Sequence, residues 1–327
     1  MRRYGSFLEL IFLSVCVALV GAGTASAQSG YPNKPIRLII GFSPGAAVDT
    51  VSRTLGAGLG ALGQPVIMEN KPGAAGIVGN EFVARAAPDG YTLLAGTTAP
   101  FSIVPNLTAK LPYDPIKDYA AVAPFARSAS ILVVNASLPV NSVKEFIAYA
   151  KERPGQLNYA SNGNGGILHM GMEMFSAMAG IRMLHVPYNN LMTGLGHVAS
   201  GELQVMFISP TNAMPLVQGG RLRALGIATS RRSEMVPNIP TLDEEGLKGF
   251  NFSVWYGLFA PAGTPRAVIN ILNAAVNAAM QQLDIIERLR KSAAERFPGT
   301  PEDLAALVRT ELEMYGKVAR ETGLQKQ

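Results

Sequence analysis

The sequence has almost no cysteine and little charge. Cys16 is the one cysteine in 327 residues, which excludes a disulfide scaffold and a cysteine-rich metal site. Charged residues make up 16% of the chain, below the roughly 25% typical of soluble domains, whereas 48% are hydrophobic. This balance excludes intrinsic disorder. The net charge of +5 is modest, and the basic residues of the chain do not cluster beyond pairs such as Arg231-Arg232. We therefore expect no nucleic-acid partner.

Residues 1–27 have the organisation of a secretory signal peptide. Arg2 and Arg3 precede an apolar stretch at residues 11–20, and Ala25-Ser26-Ala27 supplies a small-x-small cleavage pattern. A membrane anchor is the alternative, but the apolar stretch is shorter than the roughly 20 residues that a span requires. We therefore expect cleavage after Ala27 and a periplasmic protein that begins at Gln28.

Short apolar runs alternate with helical patterns along the rest of the chain, which is typical of βαβ units and largely parallel sheets. One series begins with a strand at 36–40 and a helix at 45–62. A second begins with a strand at 131–134, followed by a capping box in which Ser142 and Glu145 cap a helix. The chain ends in helices predicted from about 265 to 291 and from 301 to 321.

Two series of this kind predict an α/β protein with two lobes. Residues 119–130 and 250–260 are interpreted as crossings between the lobes, so that two crossover strands form a hinge. The first lobe then contains residues 28–126 plus 252–327, with the helical tail packed back on it. The second contains residues 127–251.

The segment Gly41–Gly45 matches the G-x-S-x-G pattern of serine hydrolases, between a strand and a helix. The residue after the nucleophile must donate its N–H to an oxyanion hole, and Pro44 has none. A secreted hydrolase using Ser43 is therefore the weaker interpretation. An anion site is favoured, because free N–H groups at residues 45–47 and the helix dipole attract a carboxylate. An ordinary strand-to-helix turn is the remaining alternative.

Other polar residues of the sequence give weaker signals. Asp49 and Arg53 have the i, i+4 spacing of an intrahelical ion pair, which is favoured over a catalytic carboxylate. The loop 161–166 is rich in glycine and asparagine and lets a ligand approach the backbone, but it lacks a dinucleotide fingerprint. We expect neither a metal nor a cofactor, since no histidine is spaced i, i+4 from another histidine or a helpful carboxylate. The histidines are His169, His185 and His197.

Taken in order, these loops resemble the solute receptors of tripartite tricarboxylate transporters, the Bug-type extracytoplasmic binding proteins. The similarity begins at Tyr31-Pro32 and runs through Glu69–Gly76, Pro88–Leu93, Val186–Tyr188 and Phe259–Pro265. Each segment is weak alone, but their order and spacing make the match specific. The resemblance implies a two-lobed type II periplasmic binding protein fold without enzymatic activity. It also implies a monomer that closes around an organic acid and delivers it to cytoplasmic-membrane permease subunits.

The resemblance further implies which residues line the cleft between the lobes. From the first lobe these are Phe42, Ser43, Gly45, Ala46, Ala47, Thr97 and Thr98. From the second they are Asn162, Asn164, Gly165, Gly166, Tyr188, Asn189 and Ser209.

The sequence departs from the family pattern where ligand contact is expected. Ala46 replaces a glycine, residues 166–168 replace hydroxyl residues, and Asn189-Asn190 replaces Lys-Gly. Since each change removes a donor or a charge, we expect a ligand that is less charged or more apolar than citrate, such as an aromatic acid or a monocarboxylate. A sensor that reports its ligand to a membrane kinase would have the same cleft and is an open alternative.

Overall fold

The computed structural model describes residues 30–164, 166–188, 190–321 and 323, which form two α/β lobes. The predicted signal peptide, Gly165 and Asn189 lie outside the described residues. Within the described ranges, no helix combines the length and the apolar character needed to span a membrane.

The secondary-structure elements confirm most of the predicted pattern. The strands are β1 (Ile36–Ile40), β2 (Val66–Asn70), β3 (Thr92–Thr97), β4 (Tyr119–Ala129), β5 (Ile131–Asn135), β6 (Asn158–Ser161), β7 (Leu184–Pro187), β8 (Val205–Ile208), β9 (Leu222–Ile227), β10 (Ser253–Pro261) and β11 (Glu295–Arg296). The helices are α1 (Ala47–Gly58), α2 (Ile77–Ala84), α3 (Val104–Leu107), α4 (Val143–Lys151), α5 (Ile167–Ala179), α6 (Leu191–Ser200), α7 (Pro210–Gln218), α8 (Arg266–Ala279), α9 (Leu283–Lys291) and α10 (Pro301–Glu321). Short 3-10 or π segments lie at Leu59–Leu62, Ala74–Gly76 and Ala99–Ile103.

Each lobe of the described chain is built on one sheet. The first has the strand order β11-β4-β10-β3-β1-β2, and the second β7-β6-β8-β5-β9. Strands β1, β2 and β3 are parallel, as are β6, β7 and β8. Antiparallel strands complete the sheets, because β10 opposes β3 and β4 while β5 opposes β8 and β9. The carboxyl ends of the parallel strands in each lobe therefore lie at one edge of its sheet.

Both faces of each sheet are buried under helices, which is why the central strands are continuous apolar runs. In β1, Ile36, Leu38 and Ile40 face the cluster formed with α1, α8 and α9. Ile39 points to the opposite face, where it packs in a cluster that contains Trp255. The second lobe repeats this arrangement around β5, whose alternate residues belong to two clusters.

The chain passes between the lobes at two adjacent points. Strand β4 ends at Ala129 and β5 begins at Ile131, in the other sheet. The return crossing runs beside it, since the amide of Phe252 donates to the carbonyl of Ala228 and Ser253 pairs with Ala129. This arrangement confirms the predicted hinge of two crossover strands. The residue boundaries of the lobes remain a prediction.

The C-terminal helix α10 contacts both lobes. Leu304 and Val308 pack in the first-lobe cluster, as predicted for the helical tail. Further along the helix, Tyr315 and Val318 join the core of the second lobe. The predicted location of the tail is therefore incomplete, because the helix is long enough to pass from one lobe to the other.

The single helix predicted from 265 to 291 is wrong, since the chain forms two helices there. Helix α8 ends at Ala279, and Gln282 takes an extended conformation before α9. The Gln282 side chain donates to the carbonyl of Gly58 in α1, at 3.1 Å. The break turns α9 so that Ile285 packs closely against Gly58. Tertiary packing has overridden a continuous helical pattern.

Candidate ligand-binding cleft

The loop between β1 and α1 presents a helix N-terminus without a side-chain cap. Ser43 and Ala47 are exposed, and Ala46 occupies the N-cap position without bonding through its side chain. No described residue accepts a hydrogen bond from the amides of Ala47 and Val48. These amides and the positive end of the helix dipole can therefore bind an anion.

The predicted free amides of Gly45 and Ala46 are wrong. The Gly45 amide donates to Oδ2 of Asp49 at 2.9 Å, and the Ala46 amide donates to the carbonyl of Ser43 at 3.1 Å. The turn thus uses these two donors internally, whereas the amide of Ala47 is free in the described structure, as predicted, and Val48 supplies a second free donor. Gly45 has a φ of +83°, a conformation that strongly favours glycine.

The predicted ion pair between Asp49 and Arg53 is confirmed, with Arg53 Nε 3.0 Å from the carboxylate. Asn70 also donates to this carboxylate, at 2.8 Å. Burial raises the pKa of Asp49, but the hydrogen bonds from Arg53, Asn70 and Gly45 outweigh it and hold the pKa below its usual value. The carboxylate is therefore charged at neutral pH and fully occupied.

Thr97 and Thr98 lie at the end of β3, and both are buried. The Thr97 hydroxyl donates to the carbonyl of Trp255 at 2.8 Å. The Thr98 hydroxyl accepts from the amide of Trp255 at 3.0 Å. Both side chains thus join β3 to the crossing strand β10. Their role in ligand contact stays a prediction, and both hydroxyls already have protein partners.

The second-lobe loop before α5 is closed by its own asparagine. Oδ1 of Asn162 accepts the amide of Leu168 at 3.1 Å, so Asn162 caps the helix. A Cβ on Gly166 would lie 2.6 Å from that oxygen, which explains the glycine at a position where the family has a hydroxyl residue. Asn164 is exposed at the tip of this loop.

Tyr188 directs its hydroxyl toward α6, where it lies 2.6 Å from Nδ1 of His197. Its ring lies against Gly194. Helix α6 itself is capped by Asn190, whose side chain accepts the amide of Met192 at 3.0 Å. The Tyr188 hydroxyl and amide therefore both have protein partners, because the amide donates to the carbonyl of Ser161 at 3.0 Å. Contact between Tyr188 and a ligand stays a prediction.

Ser209 follows β8 at the N-terminus of α7, and no described residue bonds to its hydroxyl. Since β6, β7 and β8 are adjacent and parallel, Asn162, Tyr188 and Ser209 lie at the same edge of the second sheet. Ser43 likewise follows β1, and Thr97 is the last residue of the adjacent parallel strand β3. Ligands of open α/β sheets bind outside such carboxyl ends.

Beneath the second-lobe loop lies a cluster of stacked rings that the sequence analysis missed. His169 and His185 stack with centroids 3.9 Å apart, and Tyr159 stacks on His185 at 5.0 Å. His185 Nε2 lies 2.6 Å from the hydroxyl of Ser161. Glu173 is four residues from His169 on α5, with a closest approach of 4.0 Å, so the predicted absence of such a carboxylate is wrong.

The histidines of this cluster are held in the neutral state. Burial lowers the pKa of His185 to about 4, with a further contribution from His169, while Glu173 opposes the shift. Burial also lowers the pKa of His169. Within the described residues, no group of three or more acidic, histidine or cysteine side chains could hold a metal ion.

Comparison with known proteins identifies the family. The family model described as Tripartite tricarboxylate transporter family receptor matches residues 51–324. Protein BugT of Bordetella pertussis is 32% identical over 96% of this chain and 97% of its own length.

Solved structures agree with the sequence relatives. Rpa4515 of R. palustris, determined with adipate, is 30% identical with a TM-score of 0.70, over 91% of this chain and 100% of that one. MatC from Rhodopseudomonas palustris, determined with bound malate, is 33% identical with a TM-score of 0.66, over 88% and 99%. The matched family is one of transport receptors and not of enzymes, which does not support the hydrolase interpretation of Ser43. The chain therefore belongs to the receptors of the tripartite tricarboxylate transporter family, the Bug-type periplasmic solute-binding proteins.

Proposed function

We propose that this protein captures a small organic carboxylate in the cleft between its lobes and delivers it to a tripartite tricarboxylate-type membrane transporter. The observation that carries the proposal is the N-terminus of α1, where the amides of Ala47 and Val48 lack acceptors in the described structure. Backbone amides and the helix dipole bind a carboxylate without a lysine or an arginine. The exposed hydroxyl of Ser43 lies beside them in the same turn.

Ligands in related structures support the carboxylate class. Adipate and malate are both dicarboxylates, and they accompany relatives about as similar to this chain as BugT is. We propose that the protein acts in the periplasm after cleavage of residues 1–27. Its lobes are proposed to be residues 28–126 plus 252–327, and residues 127–251.

We further propose that the ligand is less charged than citrate. The predicted cleft residues include no lysine or arginine. In the second lobe, the Leu168 amide already donates to the Asn162 side chain. Pro210, at the start of α7, has no amide hydrogen to donate. Fewer donors therefore face the part of the ligand that contacts this lobe.

Closure of the lobes couples binding to a change of shape. The hinge of two adjacent crossings permits bending, and only a closed state lets both lobes contact one ligand. Transporter subunits can then distinguish the loaded receptor from the empty one.

The test is a binding series measured by calorimetry with adipate, malate, citrate, hexanoate and benzoate. We expect at least one acid to bind and citrate to bind more weakly than hexanoate or benzoate. If none of the acids binds, the proposed ligand class is wrong. Tight binding of citrate alone would retain the carboxylate class but contradict the preference for lower charge.

A paired substitution locates the site. Ala47→Pro removes one free amide at the first position of a helix, where proline is tolerated. The bond lost is to a charged group, so we expect affinity for the bound acid to fall about tenfold or more. Leu283→Pro is the matched control, because Leu283 begins α9 and is 83% exposed. Equal affinities of the two variants would place the ligand elsewhere.

A further inference from the structure

Asp49 is a buried carboxylate in the first turn of α1, immediately behind the free amides. It is only 2% exposed. Its oxygens accept from the Gly45 amide at 2.9 Å, from Arg53 Nε at 3.0 Å and from Asn70 Nδ2 at 2.8 Å. A backbone donor, a cation and an amide thus satisfy one carboxylate.

Asn70, the last residue of β2, extends this contact to the other end of the loop. Its Nδ2 also donates to the carbonyl of Phe42 at 2.9 Å, and its Oδ1 accepts from Arg53 at 2.8 Å. The loop from Phe42 to Gly45 is consequently held at its first carbonyl by Asn70 and at its last amide by Asp49. We call this group of Asp49, Asn70 and Arg53 the loop clamp.

Apart from the loop clamp, the loop is held by the Phe42 ring, which packs on the first-lobe core, and by the Ser43 carbonyl, which accepts the Ala46 amide. Ser43, Pro44 and Gly45 are exposed, and a Cβ built on Gly45 would meet no atom within 4 Å. Gly45 also has a positive φ. A free glycine backbone has more conformations available than that of any other residue type. The direction of the loop into α1 therefore depends on the loop clamp.

We propose that Asp49 is a positioning residue for ligand binding, which with Asn70 holds the loop Phe42–Gly45 in the shape that presents the amides of Ala47 and Val48 to a carboxylate. This inference rests on the proposed function. The loop clamp does not touch the ligand. It holds the loop in the binding conformation before the ligand arrives. A receptor with a loose loop is competent for only a fraction of the time, and its apparent affinity falls by that fraction.

The discriminating variant is Asp49→Glu. It keeps the negative charge near Arg53, but the extra methylene displaces the oxygens from the Gly45 amide. Glu81→Asp is the matched control, because Glu81 forms an i, i+4 ion pair with Arg85 on the neighbouring helix α2. If the role of Asp49 were only to pair with Arg53, glutamate would replace it.

Two measurements test the proposal. Hydrogen exchange without ligand should show faster exchange at residues 42–47 in Asp49→Glu than in the wild type or in Glu81→Asp. Stopped-flow fluorescence of Trp255, the one tryptophan of the chain, should show association with adipate, or with whichever acid binds the wild type, slowed about tenfold with dissociation unchanged.

The outcomes separate this inference from the proposed function. Unchanged exchange in Asp49→Glu overturns the inference whatever the ligand is. Faster exchange with unchanged affinity also overturns it, because the loop would then not govern binding. If the wild type binds none of the acids, the proposed function fails, while faster exchange alone still supports the positioning of the loop by Asp49.

Discussion

At the scale of single residues, Glu311 makes the stability of the fold depend on pH. It is a carboxylic acid on α10 that is 5% exposed, and it accepts the indole N–H of Trp255. Burial raises the pKa of Glu311 to about 8, against the opposing hydrogen bond from Trp255. The folded pKa lies above the unfolded one, so folding favours the protonated form. This contribution to stability is complete below about pH 4.5 and is lost as the pH rises through about 8.

Glu311→Gln removes this titration and keeps an oxygen that accepts from Trp255. We expect the melting temperatures of variant and wild type to be similar near about pH 5 and to diverge progressively up to about pH 8, above which the variant stays more stable by a few kcal/mol. Thermal denaturation across this range measures the difference. A parallel decline of both proteins would contradict the prediction.

Residue identity alone predicted part of the site. The i, i+4 pair of Asp49 and Arg53 was accessible because its spacing is local. The use of the Gly45 amide was not, since Asp49 reaches back across the turn only in the folded loop. Asn162 likewise caps α5 from outside the helix, and no local pattern predicts its partner Leu168.

At the scale of elements, strands β6 and β7 and helix α5 meet in the stacked cluster of Tyr159, His185 and His169. His185 is faced by these rings, by the Ser161 hydroxyl and by the Glu173 carboxylate. Burial first, and then His169, lower its pKa to about 4, below the unfolded value of 6.5. The sign is opposite to that of Glu311. This stability is present above about pH 6.5 and is lost as the pH falls through about 4.

His185→Phe retains an aromatic ring between His169 and Tyr159 but cannot be protonated. The Ser161 hydroxyl keeps the carbonyl of Gly163 as an acceptor at 3.3 Å. We expect the variant to lose less stability than the wild type between about pH 6.5 and 4, as followed by urea denaturation at several pH values. An identical acid profile would show that His185 does not control this transition.

Elements with local signals were predicted best. Ser142 accepts the amide of Glu145 at 3.1 Å and opens α4, as its sequence indicates. The break between α8 and α9 has no such signal, because Gln282 is bonded to Gly58, which is distant in sequence. The two series of strands and helices were predictable from periodicity, but β11, with two residues, was too short to give a pattern.

At the scale of the whole molecule, the lobes are joined by more than the crossing strands. On β11, Glu295 pairs with Arg127 of β4 at 2.7 Å, and both side chains are largely buried. The same carboxylate accepts from the Ser233 hydroxyl at 2.7 Å and from the Glu234 amide at 3.1 Å. Residues 233 and 234 lie in the proposed second lobe. No local pattern predicts this contact, because its residues are far apart along the chain.

Glu295→Gln tests how much this junction contributes. The substitution leaves the Arg127 guanidinium buried without a charge partner, so we expect the free energy of unfolding to fall by about 3–5 kcal/mol. The double variant Arg127→Met, Glu295→Leu removes both charges and should recover much of this loss, because the penalty arises from the unpaired charge. Denaturant unfolding of wild type, single and double variants measures both effects. A single variant as stable as the wild type would show that the ion pair between Arg127 and Glu295 contributes little to stability at this junction.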